Sequence, residues 1–253
     1  METYIVDATQ VPWRDGETEG LRFRAQVLLD GAAGGPEALR FRFEPCPSVY
    51  AHMHLTSQFQ VLLDGEMDMP RGRLCLHRHD VHYTDHNVPY GPFSVAGEHD
   101  MLVLHPQPGG LISMKETRAR REIFLEGRLI VGIDADHAWR RVSDAAEVKT
   151  LIVPDIGPSV ALVRAAPGRA LEGGPAPFGR YEVVIAGSVA VDGATLDPPA
   201  IRFVRGANSP VPLVTGPAGA TVMFLSFDQD ALSGGLTGVG IAREAAEALA
   251  KAI

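Results

Sequence analysis

Two histidines and a glutamine lie within residues 50–67, YAHMHLTSQFQVLLDGEM, and an even number of positions separates each from the next. His52 and His54 are two positions apart, and Gln58 lies four positions beyond His54. Since alternate residues of a β-strand face the same side, the two imidazoles should point in one direction, and Gln58 keeps their parity. Imidazole is a common ligand of divalent transition metals. The spacing therefore predicts a metal site on a strand, with a neutral amide where a carboxylate would be expected.

Histidines are concentrated in one part of the chain. Eight of the nine lie between positions 52 and 105, which marks this region as the candidate site. His77 and His79 repeat the two-residue spacing, and we interpret them as an exposed strand face and turn. His105 ends the apolar run MLVLHP, which makes it a candidate to line the same cavity.

Short alternating runs separated by glycine and proline make up most of the chain before residue 237. Examples are ALRFRFEP, FQVLLDGEM, MLVLHP, YEVVIAGSVAV and TVMFLSFD. A period of two with turn residues between the runs predicts an all-β protein. The tail TGVGIAREAAEALAKAI differs, because Ile241, Ala245, Leu249 and Ala252 fall at helical spacing. It predicts a short amphipathic helix at the C-terminus.

The sequence also contains an internal repeat. YIVDATQVPWRDG near the start matches LIVGIDADHAWRRV at an offset of 126, and SQFQVLLDGEM matches GRYEVVIAGSV at an offset of 122. VPYGPFSVAGEHDMLVLHP matches SPVPLVTGPAGATVMFLSFD at an offset of 121. Three matches in the same order indicate duplication of one structural unit.

The first copy resembles the cupin superfamily. HMHLTSQFQVLLDG is similar to the first cupin motif, in which His-x-His is followed by Glu and then Gly; here Gln58 takes the Glu position and Gly65 the Gly position. HDVHYTDHNVPYGPFSVAG resembles the second motif, and VPW, GLRFRAQVLLD and ALRFRFEP resemble the leading strands of cupins related to acetylacetone dioxygenases and zinc-binding anti-sigma factors. The resemblance implies a bicupin: a cupin-type jelly-roll barrel over residues 1–118, and a degenerate barrel plus the C-terminal helix over residues 119–253.

The resemblance leaves the fourth metal ligand open. Counting along the second motif places the family's last histidine at Tyr90, whereas counting from the Pro-x-Gly turn places it at Ser94. We favour Tyr90, because it keeps HDVHYTDHNVPY in register with the family's strand and turn. A phenol can bind a metal, and a bound cation lowers its pKa. His82, His86 and His105 are alternatives.

The expected ligands set the charge of the site. His52, His54, Gln58 and Tyr90 would hold a divalent ion, either Fe, Zn, Mn or Ni, with Tyr90 and His105 as catalytic residues. Without a carboxylate the ion is held less tightly and keeps more positive charge. A small anionic or enolisable organic substrate is therefore expected on the metal.

The second copy lacks these side chains. At the same offsets His52, His54, Gln58 and Tyr90 become Gly174, Ala176, Arg180 and Val211. We expect this barrel to be structural, with an anion pocket formed by Arg180 or Arg202 as the alternative.

Composition excludes several classes of function. A net charge of −8 without a long basic run argues against nucleic acid as a partner, and no apolar run reaches the roughly 18 residues of a membrane span. The first residues lack a signal-peptide pattern, and the two cysteines lie outside any CxxC motif, so a cytoplasmic location is expected. Cupin barrels often pair through strand edges, which suggests a homodimer.

Three functions remain open at this point. The first is a metal-dependent dioxygenase, isomerase or lyase acting on a small molecule. The second is a metal-free enzyme of the sugar-epimerase type, in which a histidine and a tyrosine exchange the proton. The third is a non-catalytic module that binds a small ligand.

Overall fold

The computed structural model describes residues 1–18, 21–69, 74–113 and 127–233. Almost all regular structure in these ranges is antiparallel β-sheet, which confirms the predicted all-β class. The exceptions are isolated 3-10 turns and one helical turn, α1 (Asp230–Ser233). The amphipathic helix predicted beyond residue 237 lies outside the described residues. No described helix has the length and hydropathy needed to span a membrane.

The described chain forms two compact units. The N-terminal unit is built from the described residues between 12 and 133 together with α1, and the C-terminal unit from residues 1–11 and 134–229. The strands of the N-terminal unit are β2 (Arg14–Thr18), β3 (Leu21–Asp30), β4 (Glu37–Phe43), β5 (Cys46–Val49), β6 (His52–His54), β7 (Gln58–Asp64), β8 (Met67–Met69), β9 (Leu74–Leu76), β10 (Val81–Thr84), β11 (Phe93–Val95), β12 (Asp100–His105), β13 (Leu111–Ser113) and β14 (Leu129–Gly132). Those of the C-terminal unit are β1 (Glu2–Asp7), β15 (Arg140–Ser143), β16 (Ala146–Ile152), β17 (Ser159–Ala165), β18 (Ala170–Leu171), β19 (Ala176–Val191), β20 (Ala194–Leu196), β21 (Ala200–Gly206) and β22 (Leu213–Ser226).

Both units share one strand order. The large sheet of the N-terminal unit runs β14-β10-β7-β12-β4-β3-β2, and that of the C-terminal unit runs β1-β21-β19-β22-β17-β16-β15. Each strand of one path corresponds to the strand at the same place in the other, at about the offsets of the internal repeat. The N-terminal unit adds the sheets β5-β11-β8-β9 and β13-β6.

The first strand of each repeat pairs with a strand of the other repeat. β1, which carries YIVD, pairs with β21 of the C-terminal unit, whereas β14, which carries LIVG, pairs with β10 of the N-terminal unit. This differs from the predicted division, which assigned residues 1–11 to the first barrel and residues 127–133 to the second. The two strands carry nearly the same pattern, so alternation alone does not determine which sheet each one joins. The predicted boundary between residues 118 and 119 lies outside the described residues.

Alternation along β3 shows how the sequence builds the barrel wall. Leu21, Phe23 and Ala25 are buried, whereas Arg22 and Arg24 between them are exposed. A period of two puts one set on each face of the sheet. The buried set joins a core with residues of β4 and β12, and this core forms the apolar wall behind the candidate site.

Gly65, at the glycine position of the motif, directly follows β7 and has a φ of 80°. A Cβ atom built there would lie 2.5 Å from the carbonyl oxygen of Glu98 and 2.7 Å from Cβ of His99. We expect Gly65→Ala to lower the free energy of unfolding by about 1–3 kcal/mol, because it combines left-handed strain with a backbone clash. Urea denaturation measures the loss, and Gly34→Ala, at φ 79° with open space around it, is the matched control for strain alone. Equal losses in the two variants would contradict the role assigned to the clash.

Candidate functional site

His52 and His54 lie on β6 and both line one cavity in the N-terminal unit. Their ring centroids are 5.3 Å apart. A backbone bridge ties His52 to Tyr90, since each amide donates to the carbonyl oxygen of the other, at 3.1 and 3.0 Å. This bridge brings the Tyr90 ring to 4.5 Å from the His52 ring. Tyr90, rather than Ser94, therefore faces the two histidines.

A chain of hydrogen bonds fixes which atoms carry the protons. The carbonyl oxygen of Tyr50 can only accept, so Nδ1 of His52 donates to it at 2.8 Å, and Nε2 of His52 must accept. The Tyr90 hydroxyl donates to this Nε2 at 2.6 Å and in turn accepts from the amide nitrogen of Gln60 at 3.0 Å. The amide oxygen of Gln60 accepts from Nδ1 of His82 at 2.8 Å. The chain is satisfied from end to end, which holds the phenol in place.

Burial keeps these groups uncharged. It lowers the pKa of His52 and of His82 to about 4, because a buried imidazolium loses its hydration. It raises the pKa of Tyr90 well above its ordinary value, although amide contacts from Gln58 and Gln60 oppose the shift. At neutral pH the chain therefore consists of two neutral imidazoles and a protonated phenol.

His54 lies between His52 and His105, and its ring centroid is 4.8 Å from that of His105. Nδ1 of His54 is buried without a hydrogen-bond partner, and burial with the neighbouring imidazoles holds its pKa well below the ordinary value. Nδ1 of His105 lies 3.1 Å from the hydroxyl of Thr56 and 3.3 Å from the carbonyl oxygen of Ser57. Because that carbonyl can only accept, Nδ1 of His105 carries the proton, and its Nε2 has the lone pair.

Glu37 is a further titratable group of the cavity, and the sequence analysis did not identify it. It is the cross-strand partner of His105 in the β4–β12 ladder, and its Oε2 accepts from the amide of Gly109 at 2.9 Å. Burial raises the pKa of Glu37 to about 7, with Asp30 adding to the shift and the Gly109 amide opposing it. A Cβ atom on Gly109 would lie 2.5 Å from Nε2 of His105 and 2.7 Å from Oε2 of Glu37, so only glycine lets both groups come so close.

The cavity is small, and its lining contains both polar and apolar side chains. Its volume is about 130 Å³, equal to roughly four molecules of liquid water. The polar residues of its lining include Glu37, His52, His54, Gln60, Tyr90 and His105, and the apolar ones include Leu21, Phe23, Leu39, Phe41, Phe93, Met101 and Val103. No lysine or arginine is among the described residues that line it, so this part of the lining offers no fixed positive charge to a bound anion.

Gln58, the third predicted metal ligand, is buried but does not line the cavity. Its amide nitrogen and oxygen make no hydrogen bond, although the amide is near enough to the Tyr90 hydroxyl to favour the ionised phenol. Gln60, two residues further along β7, lines the cavity instead. His86, an alternative ligand, is not among the lining residues, and His82 lies behind Gln60.

The side chains around Tyr90 fit a divalent ion. Nδ1 of His54 and the amide of Gln58 are buried polar groups without partners, which a cation in contact with them would satisfy. The proton shared between His52 and Tyr90 is the one that such an ion would replace. The donors are imidazole, amide and phenol, without a carboxylate. The described part of the chain contains one group of three His, Cys, Asp or Glu donors within 4.8 Å of one another, and it lies elsewhere, at Glu66, Cys75 and His77.

The C-terminal unit fills the equivalent place with an ion cluster. Its cross-strand pair Glu182–Arg202 corresponds to Gln60–His82, and Arg180 corresponds to Gln58. Glu182 bonds both guanidinium groups, and all three side chains are at most 2 % exposed. Arg180 also donates to the carbonyl oxygens of residues 173–175, and Arg202 to that of Val211. The guanidinium groups are therefore held by partners within the unit, which argues against the predicted anion pocket.

No protein-family model matches this sequence, and no curated protein matches it either. Solved structures do. A "putative dioxygenase" from Nostoc punctiforme is 15 % identical with a TM-score of 0.66, covering 95 % of this chain and 85 % of its own. Oxalate decarboxylase from Bacillus subtilis is 14 % identical with a TM-score of 0.62, covering 88 % and 76 %. A Geobacillus kaustophilus protein is 11 % identical with a TM-score of 0.60, covering 90 % and 95 %.

These likenesses show the fold. The chain has the cupin-type jelly-roll fold in tandem, the bicupin architecture that the internal repeat and the His-x-His motif predicted. At such low identity the likeness carries no reaction from one protein to another, so the chemistry must be argued from the cavity.

Proposed function

We propose that the cavity of the N-terminal unit is the active site of an enzyme that transfers a proton on a small, enolisable carbonyl compound. The observation that carries this proposal is Glu37, a buried carboxyl group with a pKa of about 7 that lines one cavity together with three imidazoles. General bases work best when their pKa lies near the working pH. Strongly perturbed groups in cavities are common at active sites.

Glu37 would remove the proton next to the carbonyl group. The amide of Gly109 holds one carboxylate oxygen, which fixes the direction of the other. His105, with its lone pair on Nε2, lines the same cavity and can carry the proton between positions of the substrate. These two residues stand on adjacent, paired strands, so their separation is set by the sheet.

Tyr90 and His54 would meet the charge that develops on the substrate oxygen. Gln60 donates to the Tyr90 hydroxyl and holds it in place, and His54 lines the same cavity. Donors that are already oriented stabilise a developing oxyanion without reorganisation. His52, His54, Gln58 and Tyr90 are the residues that would hold a divalent ion, which would supply Lewis-acid polarisation of the carbonyl group when bound.

The cavity also limits the substrate. Its volume suits a compound of about five to eight non-hydrogen atoms, and the apolar wall favours a hydrocarbon portion. Because the described lining contains no lysine or arginine, and Glu37 is partly ionised at neutral pH, a carboxylate substrate would need the ion. A neutral ketone would not.

A metal-free form of the same reaction is the second candidate. The observation in its favour is the 2.6 Å hydrogen bond between Tyr90 and His52, which satisfies both groups without an ion. In this form the Tyr90 hydroxyl alone would stabilise the oxyanion. Activity that persists in a chelator supports it.

Deuterium exchange into small ketones tests the proposal. We expect the protein in D₂O to exchange the α-protons of butanone and cyclopentanone, as followed by proton NMR, and to exchange those of 2-oxobutanoate only when a divalent metal is supplied. Buffer and heat-inactivated protein give the background rate. Exchange no faster than this background for all three compounds would contradict the proposal.

Metal content is a separate prediction. We expect purified wild-type protein to contain a divalent ion at near one equivalent in the cavity, and His54→Ala to lose it, since the variant removes a buried donor that has no other partner. Elemental analysis of both proteins in parallel measures this, with His82→Gln as a control that changes an imidazole behind the site. Equal metal content in the wild type and His54→Ala would show that the ion lies elsewhere.

A further inference from the structure

The paired strands β8 and β9 bring four donor side chains to one face. Met67 pairs with Leu76 and Asp68 with Cys75, so the residues just beyond, Glu66 and His77, are also opposite each other. Asp68 and Cys75 share this face with Glu66 and His77, because side chains alternate along each strand. Met67 and Leu76 point the other way, into the core.

The distances within this group suit a bound ion. Single donor atoms of Glu66, Cys75 and His77 all lie within 4.8 Å of one another, and Nδ1 of His77 is 3.4 Å from Oε1 of Glu66. Nitrogen and oxygen ligands about 2.0–2.1 Å from a tetrahedral zinc ion are about 3.3 Å apart. The His77–Glu66 pair therefore already has the separation of two ligands, and small side-chain rotations would bring the thiol to the third position.

We propose that Glu66, Cys75 and His77 form a second metal site, for a borderline-soft divalent transition ion such as Zn²⁺. A thiolate, an imidazole and a carboxylate are ligands that zinc and cobalt accept and that calcium and magnesium do not prefer as a set. The thiolate and the carboxylate together neutralise the ion. The fourth position is open to water or to Asp68, which lies directly across the ladder from Cys75.

The electrostatic surroundings favour a cation. Burial raises the pKa of the Cys75 thiol to about 11, and the carboxylates of Asp68, Glu66 and Asp80 add to the shift. The same carboxylates attract a divalent ion. On binding, the thiol gives its proton to solvent and the sulfur bonds to the metal, so the sulfur is not oxidised.

This site differs from the cavity site in its sulfur ligand. Cobalt(II) bound to a thiolate shows charge-transfer absorption that ions held by nitrogen and oxygen alone do not show. The readout therefore reports on Cys75 whatever occupies the cavity, and its failure is independent of the function proposed above.

Titration of the full-length, metal-free protein with Co²⁺ tests the proposal. We expect a thiolate charge-transfer band that saturates by about two equivalents per chain, one for each of the two proposed sites, disappears in Cys75→Ser, and is displaced by Zn²⁺. In His77→Ala the affinity should fall by more than the roughly 10–100-fold that loss of an outer-shell partner costs. Because His77 and Glu66 are exposed, their substitution should leave the fold intact, which circular dichroism checks.

Two variants separate this site from the alternatives. Cys46→Ala removes the other free cysteine and should keep the band. The double variant His52→Ala/His54→Ala should also keep it. Absence of the band in wild type, its persistence in Cys75→Ser, or its loss in Cys46→Ala would each overturn the proposal.

Discussion

The metal-free protein is expected to lose most of its stability as the pH falls from 6.5 to 4. Burial lowers the pKa of four imidazoles, His52, His82, His99 and His105, from 6.5 to about 4, and that of His54 well below 6.5. In this pH range the unfolded chain binds protons on these residues, whereas the folded chain does not. The free energy of unfolding therefore falls as the solution is acidified.

The expected size of this effect is large. Each imidazole contributes a slope of up to about 1.4 kcal/mol per pH unit between the two pKa values. Four or five of them acting together would exhaust the roughly 5–15 kcal/mol of a typical domain within a few pH units. Glu37 opposes the trend with a single proton, since its raised pKa of about 7 makes the folded chain bind that proton more strongly than the unfolded chain does.

Urea denaturation of the protein in a chelator, at several pH values between 8 and 4, measures how steeply the free energy of unfolding depends on pH. His82→Gln should flatten this dependence by about one proton, because His82 is buried completely. A free energy of unfolding that stays constant between pH 6.5 and 4 would show that these imidazoles are not buried in the neutral form.

The local pattern was enough to predict the strands and part of the site. The alternating runs predicted an all-β protein, and runs such as ALRFRFEP and MLVLHP lie in strands, β4 and β12. Parity predicted that His52 and His54 point the same way, and both line the cavity. These predictions succeed because the orientation of a side chain on a strand depends only on its position within that strand.

Properties that depend on strand pairing could not be read from the pattern. Glu37 lies beside His105 only because β4 pairs with β12 in one register, and nothing within ALRFRFEP indicates this. The exchange of β1 and β14 is of the same kind, since both strands would fit either sheet. Gln60 carried a usable signal: at the repeat offset of 122 it matches Glu182, which marks an inward polar position in both copies.

The two copies show how one interior position serves two purposes. In the C-terminal unit Glu182 is bonded by two arginines, and every charge there has a partner. In the N-terminal unit the corresponding groups are neutral amides and an imidazole, and next to them Nδ1 of His54 and the amide of Gln58 make no hydrogen bond. Buried polar groups without partners cost free energy, which a bound ion or ligand in contact with them would recover. The interior of the C-terminal unit is therefore structural, whereas that of the N-terminal unit is suited to binding.

Glu37→Gln is expected to lower the rate of proton exchange by about 10²–10⁴-fold, which is the usual contribution of a general base. The amide has nearly the shape of the carboxyl group and can still accept from Gly109, so only the base is lost. In wild type the exchange rate should rise with pH and level off above the Glu37 pKa of about 7, because only the carboxylate form accepts the proton. The variant should show no such midpoint. NMR exchange rates for a neutral ketone measure both effects, with Glu44→Gln, an exposed carboxyl group, as the matched control.

Stability gives a second readout that separates a base from a structural residue. The raised pKa means that the folded protein resists ionisation of Glu37, so wild type loses free energy of unfolding as the pH rises from about 4.5 through 7. Glu37→Gln lacks this penalty and should be the more stable protein at pH 8, while the exchange rate is nearly abolished. A variant that is both less stable at pH 8 and fully active in exchange would assign Glu37 to the support of Gly109 and leave the cavity without its base.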